Sequence, residues 1–153
     1  MTVELRPFEQ SLPMALLRAR ETTMRIFRPL LAANDLTEQQ WRVLRALTRH
    51  DGPIGVGELA DATFLLGPSL TRILANLGDR GLLERSVAAD DHRRGIINLT
   101  KAGRDLVATI APHSEARYMA IEEAFGAQNL TLLMRLLDEL ECLHELTDRQ
   151  EQR

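Results

Sequence analysis

Between residues 55 and 103 the chain reads GVGELADATFLLGPSLTRILANLGDRGLLERSVAADDHRRGIINLTKAG: two short helical patterns, two strand patterns and the opening of a further helix. Few folds accept that order, and a winged helix-turn-helix is the one it specifies. The second of the two short helices sets the sidedness. Leu70, Ile73, Leu74 and Leu77 recur at i, i+3, i+4 and i+7, so that stripe is expected to be buried and Ser69, Thr71, Arg72, Ala75 and Asn76 to face outward. An outward face that is small, polar and cationic, rather than rich in Glu and Lys, suits a DNA major groove, whose base edges accept from Arg and pair with Asn. Pro68, Ser69, Thr71, Arg72 and Asn76 are the candidate DNA contacts on this helix.

The flanks are helical. In residues 11 to 31, Leu12, Ala15, Leu16, Ala19, Met24 and Phe27 form an imperfect helical stripe, with Ser11 as the expected cap, Pro13 in the first turn and Pro29 as a bend or an end. Thr37-Glu38-Gln39-Gln40 is a capping box opening a second helix. That helix carries Trp41, Leu44, Leu47 and Thr48 on one side and stops before Asp51-Gly52-Pro53. The third spans about Val56 to Thr63, with Leu59, Ala60 and Thr63 inward. In the turn Phe64-Leu65-Leu66-Gly67, Gly67 permits the turn conformation, Pro68 takes the first position of the next helix, and Gly81 is its left-handed cap.

Leu82, Leu83 and Val87 start one strand and Ile96, Ile97 and Leu99 form the other, joined by a charged tip from Ala88 to Gly95. Thr100 caps a long helix, expected to be interrupted near Pro112, and Gly126-Ala127-Gln128-Asn129 separates it from a last helix, Leu130 to about Thr147. There Leu132, Leu133, Leu136, Leu137, Leu140, Leu143 and Leu146 cover more than one face. A small domain cannot bury all of that, so a twofold homodimer with a helical, apolar interface is expected; the alternative is a hairpin of the last two helices within one chain. The fold class is therefore mainly α with a small β-wing. Residues 1–36 form an N-terminal dimerisation and effector helix, 37–103 the winged helix-turn-helix, and 104–153 the C-terminal dimerisation helices.

With 44% apolar and 27% charged residues, disorder as the main state is excluded. No apolar run reaches a membrane span and MTVELRPFEQ lacks a signal-peptide core, so a cytoplasmic location is expected, and the single Cys142 fits a reducing compartment. The net charge of −3 excludes a generic basic coat for nucleic acid. Residues 37–103 hold nine Arg/Lys against eight Asp/Glu, leaving ten against fourteen for the flanks. Placement matters more than that small difference: Arg93 and Arg94 sit at the wing tip and Arg72 on the outward helix face.

The tip Asp90-Asp91-His92-Arg93-Arg94-Gly95, followed by Ile96-Ile97-Asn98-Leu99-Thr100-Lys101-Ala102-Gly103, resembles the D-x-R…LT-x-x-G wing signature of the MarR family of transcriptional regulators. Asp91, Arg93, Leu99, Thr100 and Gly103 stand at the matching positions. GELAD, PSLTRILANL and DRGLLER resemble that family's third helix, recognition helix and wing entry, and the stretch from Ser11 to Leu47 resembles its homoprotocatechuate-degradation operon regulators. The resemblance implies that Arg93, flanked by His92 and Arg94, reaches into a minor groove while Asp91 braces it, in keeping with the negative potential of a narrow groove. It also implies a repressor of an aromatic-acid catabolic operon, binding a pseudo-palindromic operator as a homodimer and released by a small aromatic carboxylate held where dimerisation helices meet the DNA-binding lobe. Ser11, Arg20 and Trp41 are the candidate hydroxyl, carboxylate fork and aromatic wall.

Enzymatic classes are excluded by the absence of GxSxG, HExxH, Walker or paired-carboxylate motifs, and the four His residues stand far apart. Neither cofactor nor metal is expected; His113 is followed by Arg117 where an i+4 ligand would belong. Cys142, among leucines, is expected to be a small buried hydrophobe. A winged-helix module for protein binding, or a metal- or redox-responsive regulator of the same family, is the alternative function.

Overall fold

In a computed structural model, residues 5–50, 52–89 and 95–143 are described. After a short 3-10 turn at Phe8–Gln10, the elements are α1 (Leu12–Ala32), α2 (Glu38–Leu47), β1 (Ile54–Gly55), α3 (Val56–Thr63), α4 (Gly67–Asp79), β2 (Leu83–Val87), β3 (Gly95–Leu99), α5 (Lys101–Phe125) and α6 (Ala127–Glu141). Residues up to Ser114 form one compact unit and those from Glu115 onward a second.

The first unit is built around α2, α3, α4 and a three-stranded antiparallel sheet of order β1-β3-β2. Leu70, Leu74 and Leu77 of α4 are buried against Val43 and Leu44 of α2, Leu59 of α3 and Ile97 of β3, all in one cluster, with Ile73 packed against it. Leu59 and Thr63 of α3 are likewise buried, and Ala60 packs beside them. The wing strands pair from Leu83 opposite Leu99 to Val87 opposite Gly95.

The third strand was not legible in the sequence. Ile54 and Gly55 pair with Ile97 and Ile96 across the far edge of β3. Two residues are too few to express an alternation of period 2, and only the presence of β3 makes them a strand.

The start of α5 explains Thr100 and Gly103. Thr100 Oγ1 accepts from the Gly103 backbone N–H at 3.1 Å, capping the helix, and donates to the Gly81 carbonyl at 2.6 Å. Gly81 itself has φ 69°, the left-handed cap of α4. A Cβ on Gly103 would lie 2.0 Å from the Leu82 carbonyl oxygen, so only glycine lets α5 start this close to the wing.

Several expected details are corrected. The left-handed residue in the turn before α4 is Phe64, with φ 52°, not Gly67, which begins α4 and leaves Pro68 in second place. Pro112 does not interrupt α5: a proline removes one N–H from the ladder, and the neighbouring bonds keep the helix whole from Lys101 to Phe125. Pro29 likewise sits inside α1, three residues before its end. Gly126 alone, with φ 92°, separates α5 from α6, so the last helix starts at Ala127. Ser11 occupies the α1 N-cap position without a side-chain capping bond. Thr48, expected on the inward side of α2, is exposed at its C-cap.

Of the expected α1 stripe only Phe27 is buried and Met24 half-buried. Leu30 and Leu31 join the core instead, while Leu12 and Leu16 stay exposed. In the second unit α6 has no buried residue, and Leu132, Leu133, Leu136 and Leu143 are exposed. Leu137 and Leu140 are half-buried; Leu146 and Thr147 lie outside the described residues. Cys142 is exposed rather than buried, because it lies beyond the last turn of α6. Among the described residues no helix is long and apolar enough to cross a membrane.

Candidate nucleic-acid interface

Pro68, Ser69, Thr71, Arg72, Ala75 and Asn76 of α4 are all exposed, as the helical stripe requires. Among the described residues Arg72 has no hydrogen-bond or ion-pair partner, so its guanidinium is available for an external acceptor. Thr71 Oγ1 donates to the Gly67 carbonyl at 3.0 Å, which leaves its oxygen able to accept from outside. Asn76 is less open than its position suggests, because its Oδ1 accepts from Gln40 Nε2 at 2.7 Å.

That bond belongs to a larger arrangement. Gln40 is the third residue of α2 and closes the capping box, its Oε1 accepting from the Thr37 N–H at 2.9 Å and its own N–H donating to Thr37 Oγ1 at 3.1 Å. The start of α2 thereby meets the outer face of α4, and the two enclose an open cleft of about 410 Å³ lined by Thr37, Gln39, Gln40, Ser69, Arg72, Ile73 and Asn76. Gln39 and Gln40 were missed as site residues. The capping box signalled where Gln40 sits on its own helix, but not that α4 would pack beside it. Asp91, His92, Arg93 and Arg94 of the wing tip lie outside the described residues.

The candidate effector residues are only partly brought together. Glu38, Trp41 and Arg45 fall at i, i+3 and i+7 along one side of α2. Arg20 reaches this side from α1, its Nη2 3.0 Å from Glu38 Oε1. Trp41 is buried at 7% exposure, and the Arg45 guanidinium carbon stands 6.0 Å from its ring centroid, a cation–π contact. Ser11 lies nine residues before Arg20 on the same helix, roughly 13 Å away along the axis, and does not join them within one chain.

Glu38 is shared. Arg28 Nη2 is 3.4 Å from its Oε2 and also holds Glu21 Oε2 at 2.8 Å. Hydrogen bonding from Arg28, helped by the nearby charges of Arg28, Arg25 and Arg20, lowers the Glu21 carboxyl from 4.5 to about 2. The same pairing raises Arg28. Among the described residues no group of three His, Cys, Asp or Glu side chains could hold a metal ion.

A family model described as the MarR family matches residues 34–94. The chain is 40% identical over 130 residues to the HTH-type transcriptional regulator FarR of Neisseria gonorrhoeae, covering 85% of this chain and 88% of that one. It is 39% identical over 133 residues to the homoprotocatechuate degradative operon repressor of Escherichia coli, covering 87% and 89%. Among solved structures, NadR in complex with 4-hydroxyphenylacetate superposes with a TM-score of 0.76 at 38% identity, covering 90% of this chain and 97% of that one.

Proposed function

The chain belongs to the MarR family of transcriptional regulators, and from that premise we propose that it is a homodimeric repressor of an aromatic-acid catabolic operon, released from DNA by a small aromatic carboxylate. The observation that carries the DNA half is the outer face of α4, where Arg72, without a partner among the described residues, stands beside Ser69 and Thr71 on a helix whose opposite stripe is locked in the core. Such a helix is rigid enough to hold a guanidinium at a guanine edge. Pro68, Ser69, Thr71 and Arg72 contact bases and backbone, and Asn76, with its oxygen given to Gln40, contributes a donor from Nδ2. His92, Arg93 and Arg94 enter the minor groove, with Asp91 bracing the tip.

Two successive major grooves need two such helices, and a dimer supplies them. The exposed leucines of α6 in the second unit, and separately the exposed Leu12 and Leu16 of α1 in the first, are apolar side chains offered to a second copy. Residues 37–103 act as the DNA-binding lobe, with 1–36 and 104–153 serving dimerisation.

For the effector, Trp41 supplies the aromatic wall. Arg20 enters with Glu38 already in contact, whereas Arg45, over the Trp41 ring, has no carboxylate partner among the described residues and is the better placed fork. Ser11 stands nine residues along α1 from its own Arg20 and takes part from a partner chain. The relative bound to 4-hydroxyphenylacetate supports an aromatic acid as the ligand class.

The test is fluorescence anisotropy on a duplex from the chain's own upstream region, with and without 4-hydroxyphenylacetate. Salt-sensitive binding weakened roughly 5- to 150-fold by the acid is expected. A duplex bound equally well in both conditions removes effector release, and no binding at all removes the repressor.

A further inference from the structure

The turn that leads into α4 carries two large apolar side chains that the fold does not use. Phe64 is 83% exposed and Leu66 78% exposed, while Leu65 between them packs against the core. Both occupy positions where another residue type would serve the fold better. Phe64 has φ 52° and ψ 35°, the left-handed region in which a Cβ is crowded and glycine is preferred. Leu66 is the N-cap of α4, where Ser, Thr, Asp or Asn would accept from the first N–H groups and leucine cannot.

The turn is nevertheless well anchored. Arg42 Nη1 donates to the Thr63 carbonyl at 2.9 Å, and the Leu65 N–H donates to the Ala60 carbonyl at 3.4 Å. Phe64 and Leu66 are thus held outward on a fixed loop, directly ahead of Pro68, Ser69 and Arg72. We propose that Phe64 and Leu66 bind the C5-methyl groups of thymines in each operator half-site, adding an apolar readout to the polar one made by α4.

The choice of occupant follows from place and chemistry. The pair is continuous with the exposed start of α4, the end of a recognition helix that meets base edges. The thymine methyl is the apolar feature of the major groove, and Phe is among the side chains suited to contact it. The inference rests on the DNA-binding reading of α4.

The experiment starts from the duplex that the wild-type dimer selects from a randomised library. Each thymine is replaced in turn by uracil, which removes only the methyl, and affinity is measured for the wild type, Phe64→Gly and Leu66→Ser. Uracil at one or two positions per half-site should weaken the wild type by about fourfold per methyl, the scale of burying one such group. The same replacements should leave the corresponding variant unaffected. Both variants are chosen to suit the fold, glycine at a positive φ and serine at an N-cap, so their urea midpoints should hold or rise while affinity for the thymine duplex falls. The proposal is overturned if no thymine is sensitive, if wild type and variants respond alike, if the selected half-sites contain no thymine, or if either variant loses the dimer with the fold intact. In each of those cases a salt-sensitive wild-type complex leaves the DNA-binding reading standing. Failure of the wild type to select any duplex removes both.

Discussion

Gln40 ties the start of α2 to the outer face of α4: its Nε2 donates to Asn76 Oδ1 at 2.7 Å while its Oε1 accepts from the Thr37 N–H at 2.9 Å. One side chain therefore caps one helix and occupies half of the amide on another. An asparagine that reads adenine uses both its oxygen and its nitrogen. The Gln40 bond takes one of the two lone pairs on Asn76 Oδ1 and ties the amide to α2, so the nitrogen is the group that Asn76 offers most freely.

Asn76→Ala should accordingly weaken DNA binding by about fivefold, the worth of one ordinary hydrogen bond of about 1 kcal/mol, without changing which bases are preferred. Library selection with the wild type and the variant checks it. A lost adenine preference at one position would mean that the Gln40 bond opens on binding.

Arg72 and Arg93 should part company in a salt titration. Arg93→Ala removes one ionic contact, so affinity falls across all sequences and the slope of log affinity against log salt decreases by about 1. Arg72→Ala should instead relax base preference at one position per half-site. Equal behaviour on operator and scrambled duplexes would place both arginines on the phosphate backbone.

Gly103→Ala should destabilise the fold by about 3 kcal/mol, at the upper end for overpacking, because the added Cβ would meet the Leu82 carbonyl oxygen at 2.0 Å. Backbone cannot rotate aside as a side chain does. Thermal or urea unfolding measures the loss, and a variant of wild-type stability would mean that α5 shifts its start without cost.

The Glu21–Arg28 pair makes stability depend on pH in the acid range. The folded Glu21 carboxyl lies at about 2 against an ordinary 4.5, so its contribution is fully present above 4.5 and is lost as pH falls through about 2. Arg28→Leu should flatten that part of a urea-midpoint profile. Both groups are substantially exposed, so added salt should shrink the effect in the wild type.

The residues show which parts of this protein are local. The i, i+3, i+4, i+7 stripe of α4, the capping box at Thr37 and the left-handed cap at Gly81 depend on a residue and its neighbours within one or two turns, and all stand where the sequence placed them. The outward exposure of Ser69, Thr71 and Arg72 follows from the same periodicity. Packing decided the rest. Ile54 and Gly55 become a strand because β3 lies beside them, Phe64 takes the left-handed turn position because Leu65 is drawn into the core, and α5 runs through Pro112 because one missing hydrogen bond does not outweigh the turns on either side. The Asn76–Gln40 bond and the sharing of Glu38 by Arg20 and Arg28 join residues 10 to 36 positions apart, and no periodicity encodes such a pairing. It exists only once the helices have been brought side by side by the leucines beneath them.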